Sequence, residues 1–183
     1  MRVSRLLVRA TVGFLFVGHG TQKLFGWFGG GGLKASGEAF ESLGMRPGKR
    51  NAGAAGVAET VGGALFALGL ATPLGAAALS SVMITAIRKV HAPKGIWVSE
   101  GGFEYNAVLL AVLFGLTEVG PGPWSLDALR GSERAGLRWA VAQLALGALA
   151  STVAIAAADR AKAAVSAEAA RAPAEDEATA QSA

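Results

Sequence analysis

The chain has 183 residues, 52% of them hydrophobic and only 16% charged, where a soluble domain carries about a quarter. Its mean hydropathy of +0.42 suits an integral membrane protein. The net charge of +4 does not argue for nucleic acid, because the Lys and Arg residues sit at the ends of apolar segments, where topology and lipid headgroups account for them, and the absence of cysteine excludes thiol redox chemistry, thiolate metal sites and iron–sulfur ligation by this chain.

Five apolar stretches follow one another, each near the length needed to cross a bilayer core of about 30 Å. The first covers roughly 5–28 and is expected to be a retained span: no clear cleavage site follows it, and further apolar segments do. At its end lies Gly18-His19-Gly20-Thr21-Gln22-Lys23-Leu24-Phe25-Gly26-Trp27-Phe28. The i, i+4 spacing puts His19 and Lys23 on one helical face. Ionisable groups inside a membrane helix are unfavourable unless paired or hydrated, so they mark a functional site by default. A glycine run then forms a turn, and Ser36 is expected to open a short amphipathic helix that carries Phe40 and Leu43, ends at Gly44 and lies on the membrane surface.

The second stretch, roughly 52–71, is rich in glycine and alanine and holds the lone carboxylate of Glu59. Small residues allow close helix approach. Thr72-Pro73 turns the chain into the third stretch, roughly 74–91, which ends in Arg88, Lys89 and His91. The fourth, roughly 103–120, begins with Glu104 and Tyr105 and stops at Gly120-Pro121-Gly122-Pro123-Trp124. The fifth covers roughly 137–158, and the tail after 162 is polar and expected to be largely disordered. Alternation of spans places His19, Lys23, Glu59, Arg88, His91, Trp97, Glu104 and Tyr105 toward one end of a bundle. Glu59 needs a basic partner from another span, with Lys23, Arg88 and His19 as candidates.

Several pieces in order resemble the DoxX family of small membrane proteins. They are Arg9 followed by GFLFVGHGTQKLFGWFGG from Gly13, ETVGGALFALGLATPLGA from Glu59, Met83 to His91, GFEYN from Gly102 and GPGPWSLD from Gly120. The resemblance covers about 5–127 and implies a four-helix membrane bundle. Members are associated with membrane redox systems, and relatives of the thiosulfate:quinone oxidoreductase large subunit share the domain. Matching the family pattern marks His19, Lys23, Glu59, His91 and Glu104. The resulting expectation is an all-α transmembrane bundle: a DoxX-like core over 1–127, a linker and fifth transmembrane helix over 128–161, and a tail over 162–183.

The catalytic candidates are His19, Lys23, Glu59, His91 and Glu104; the ligand-binding set adds Arg88, Trp97 and Tyr105, and no metal site is expected. His and Glu can exchange protons with quinone oxygens while aromatic rings cover the quinone, so one reading is a quinone-linked redox subunit that draws electrons from a partner protein. Two others are a non-catalytic membrane scaffold for an oxidoreductase and a small proton-coupled transporter; short length and lack of a repeat count against the last. Histidines on spans one and three suit a bis-His haem in principle, but the missing second pair and the neighbouring charges argue against it. The expected setting is a bacterial cell membrane. Arg2, Arg5 and Arg9 favour a cytoplasmic N-terminus, although Lys34, Arg46, Lys49 and Arg50 nearly cancel that bias.

Overall fold

The computed structural model describes the backbone of residues 2–181 and the side chains of residues 3–167. Among these the elements are helical, without strands: α1 Arg2–Phe25, α2 Gly32–Ser42, α3 Gly48–Leu68, α4 Thr72–Ala86, α5 Glu104–Val119, α6 Leu126–Leu129 and α7 Leu137–Gln181. A π-helical turn, Ile87–His91, prolongs α4.

Local chemistry explains the boundaries. Gly69, at φ 61°, closes α3 in the left-handed conformation that a side chain disfavours. Pro73 sits in the first turn of α4, where a missing N–H is harmless. Gly120 and Pro121 end α5. The helix expected to open at Ser36 instead begins at Gly32 and has no side-chain cap, because α2 is held by packing on α3 rather than by its own end.

α1 and α3 run antiparallel in close contact. Glycines spaced by seven residues on each helix meet: a Cβ added at Gly13 would lie 2.5 Å from the Gly63 carbonyl oxygen, and one at Gly20 2.6 Å from that of Gly56. α4 packs on α3, α5 on α4, and α7 across α4 and α5. Phe16, Phe66, Leu79, Met83, Leu113 and Leu116 form the core shared by the first four long helices. The outer face is also apolar, with Leu7, Phe14, Leu15, Val57, Val61, Val108, Leu149 and Val153 exposed.

Five long helices thus stand where five spans are expected, but they differ as membrane segments. By length and composition alone one of the described helices passes as a span, the Leu137–Ala167 part of α7. α5 has 16 residues, a rise of about 24 Å. α1 and α3 carry internal charges, and these point inward.

Candidate functional site

Glu59 projects from the middle of α3, one turn from where Gly20 and Gly56 bring α1 close. The residue is 3% exposed, and Lys23 Nζ donates to its Oε2 at 2.6 Å. The same Nζ lies 3.5 Å from the His19 carbonyl oxygen, so Lys23 bridges one turn of α1 to α3. The His19 ring is exposed at the rim, its Nδ1 3.1 Å from Gln22 Oε1, and Gln22 Nε2 donates to the Phe28 carbonyl. Around the pair lies a cleft of about 170 Å³, lined by Val12, Leu15, Phe16, His19, Lys23, Glu59, Met83, Tyr105 and Leu109. Its floor is charged, its walls are apolar, and α5 supplies Tyr105 and Leu109.

The other sequence candidates stand elsewhere. His91 Nδ1 is 2.7 Å from the Gly101 carbonyl oxygen. A carbonyl only accepts, so Nδ1 carries the proton there. Glu104 accepts from the Val98 N–H at 3.0 Å. Together the two hold the loop between α4 and α5, on which Trp97 is exposed. Arg88 turns toward α7 and donates to Thr152 Oγ1 at 3.0 Å, while Lys89 lies 3.9 Å from Asp159. The expected convergence on one end holds at the level of helix ends. At the level of side chains the cleft gathers His19, Lys23, Glu59 and Tyr105, and leaves Arg88, His91, Trp97 and Glu104 outside. Among the described residues no three His, Asp or Glu side chains gather as a metal site.

At the opposite end is a polar lock that the candidate set lacks. Arg9 is 2% exposed and donates to three carbonyls: from Nε to Ala67 at 2.8 Å, from Nη1 to Pro121 and from Nη2 to Trp124 at 2.6 Å each. It satisfies the end of α3 and ties down the Gly-Pro turn. Asp127, also 2% exposed, accepts from the N–H groups of Ala71 and Thr72 and from Thr72 Oγ1, and so caps α4 from fifty-odd residues away in sequence. Its own N–H donates to the Gly69 carbonyl. Burial alone pushes the Asp127 carboxyl upward, but the bonds from Thr72, Ala71 and Ser132 outweigh it and hold the group below its ordinary value. Arg9 carried a legible signal, a charge in the middle of an apolar segment. Asp127 carried little, since its partners are mostly backbone groups far along the chain. On α7, buried Gln143 accepts from Ser80 Oγ at 3.0 Å, and its Nε2 has no hydrogen-bond partner among the described residues.

A helical bundle with an inward-facing ion pair at one end and a loop lock at the other is the class this architecture defines. Residues 4–92, the stretch from α1 through the π-helical turn, match the DoxX family model. The matched family is one of membrane-associated proteins. Neither the curated proteins nor the solved structures contain a significant match.

Proposed function

We propose that the chain is the membrane-spanning subunit of a redox-linked membrane complex, and that the Lys23–Glu59 cleft receives the ring of a quinone-class molecule. One observation carries the reading: a buried carboxylate and its ammonium partner floor an apolar cleft between α1 and α5, with His19 and Tyr105 as further hydrogen-bonding groups on its wall. Lys23 and Tyr105 would donate to a ring oxygen. Glu59 or His19 would take or give the accompanying proton. The cleft is smaller than the 300–1,000 Å³ usual for a drug-sized ligand, so it fits a single ring, with any apolar tail leaving between the helices toward lipid. The chain has no cysteine and so no thiol or iron–sulfur carrier of its own; a partner protein would supply the electrons. The distribution of side chains supports the membrane setting, with Arg9, Glu59 and Gln143 inside and large apolar residues outside.

The scaffold reading has its own observation in favour. Lys23 and Glu59 already satisfy each other at 2.6 Å, as a pair that only fixes helix geometry would. Melting curves of the purified chain in detergent, with and without a short-chain benzoquinone, separate the two. A bound ring raises the melting temperature by mass action. That protection should vanish in Glu59→Gln and persist in His91→Ala, whose ring lies outside the cleft. No shift in the wild-type chain at saturating quinone would remove the ligand reading and leave the scaffold.

A further inference from the structure

α3 and α7 do not pack closely on each other along the half of the bundle that holds the Lys23–Glu59 pair. A groove lies between them, floored by Ser81, Val82 and Thr85 of α4. Small side chains leave the space, Ala54 on one wall and Ala150 and Ala154 on the other. Two cavities, of about 200 and 480 Å³, share these three alanines and Asn51, so they are branches of one groove. One branch passes under Phe40 of α2 and Leu43 just after it; the other follows Leu146, Leu149 and Val153 of α7.

The groove is polar at its mouth and apolar inward. Arg46, just before α3, and Arg50, in its first turn, line the larger branch, and Lys89 lines the smaller. Arg46 is tied to Glu41 at 3.0 Å and Lys89 lies 3.9 Å from Asp159. Arg50 is exposed and pairs with no carboxylate among the described residues. We infer that this groove binds an anionic phospholipid, with its phosphate on Arg50 and Arg46 and an acyl chain in each branch. Charge selects the occupant. Glu41 and Asp159 offset Arg46 and Lys89, so the net positive charge of the mouth rests on Arg50. The choline ammonium of a zwitterionic lipid would sit beside that charge, whereas an anionic headgroup brings only the charge that Arg50 attracts. A free phosphate would leave both apolar branches unfilled.

The inference rests on the membrane-spanning part of the proposed function and is independent of the quinone. The full chain is reconstituted in vesicles of equal parts dioleoyl phosphatidylglycerol and dioleoyl phosphatidylcholine, extracted in mild detergent, and the retained lipid is counted by native mass spectrometry. Phosphatidylglycerol is expected to dominate in the wild-type chain. Arg50→Gln should lower its retention about fivefold, the effect of one basic side chain at an anionic surface, and Arg46→Gln with Arg50→Gln should abolish the preference. Ala150→Phe should lower retention of both lipids by filling the groove. Lys34→Gln, a cationic position on α2 outside the groove, should change nothing. Equal retention of the two lipids by the wild-type chain, or a preference that survives the double arginine variant, would overturn the site. Failure of the wild-type chain to enter vesicles would sink the membrane reading itself, so the two failures are told apart.

Discussion

Lys23 and Glu59 form an ion pair whose acid is buried, whereas the other two pairs among the described residues keep exposed acids. A buried carboxylate without its partner is strongly unfavourable. Lys23→Met is therefore expected to destabilise the bundle by about 3–5 kcal/mol, and adding Glu59→Gln should restore a large part of that. Unfolding of the four proteins in one detergent gives the cycle; strict additivity would mean the two side chains do not meet. Asp127 behaves differently. Its folded carboxyl titrates below the unfolded value of about 3.9, so its stabilisation is complete above that pH and is lost as pH falls through the lower folded value. Asp127→Asn should cost about 1.5–3 kcal/mol at neutral pH and flatten the decline in melting temperature between pH 5 and the acid limit. A variant that keeps the wild-type acid decline would deny Asp127 that role. Glu59 was legible in the sequence as a carboxylate within an apolar segment, and its partner only as one of three candidates, Lys23, Arg88 and His19, of which Lys23 makes the pair. Asp127 was not, because hydrogen bonds to backbone groups leave no mark on composition. Arg88 was misleading for a related reason: depth along a helix is readable, but the side it faces depends on which helix becomes its neighbour.

Among the elements, α1 and α3 depend on glycine where they cross. Gly63 admits no side chain, since its Cβ would stand 2.6 Å from the Gly13 carbonyl oxygen, while Gly18 on the same helix as Gly13 has open space around it. Gly63→Ala should lower stability by about 1–3 kcal/mol through overpacking, and Gly18→Ala should be neutral or stabilising by up to about 1 kcal/mol. Equal effects in a thermal melt would show that the crossing is looser than described. Other helix ends were read within a few residues from apolar runs bounded by Gly and Pro, as in the stop at Gly120-Pro121. The fifth stretch is expected to end at 158, with a largely disordered tail after 162, whereas α7 continues as helix to Gln181, because Ala, Glu and Arg favour helix even where the apolar pattern stops. The start of α2 was not read either, because Gly31 and Gly32 are poor helix formers that packing on α3 overrides. Composition likewise undercounts α1 as a span: Arg9 and Lys23 enter the average as charges, although the fold satisfies one with carbonyls and the other with Glu59.

Folding the chain sorts its basic residues between two faces, and that bears on orientation. Arg5 donates to the Val119 carbonyl, so the start of α1 shares its face with the 120–136 segment and with Arg130, Arg134 and Arg138. Lys34, Arg46, Lys49, Arg50, Lys89 and Lys94 gather at the other face, and Arg160 and Lys162 join them because Asp159 of α7 reaches Lys89. Along the sequence the two groups nearly cancel and the first arginines tip the balance toward a cytoplasmic N-terminus. In the folded chain the face with the cleft is the more basic one, and the excess of Lys and Arg in cytoplasmic loops of membrane proteins leads us to expect that face in the cytoplasm. The natural absence of cysteine makes the test direct. Ser99→Cys and Glu133→Cys each place one thiol at an exposed position, on the cleft face and on the N-terminal face respectively. A membrane-impermeant maleimide added to intact cells should label Glu133→Cys and spare Ser99→Cys, and inside-out vesicles should reverse the pattern. Labelling of Ser99→Cys in intact cells would restore the cytoplasmic N-terminus. Labelling of both from one side would mean that the helices between them do not cross the bilayer, and the membrane-spanning bundle would fall with it.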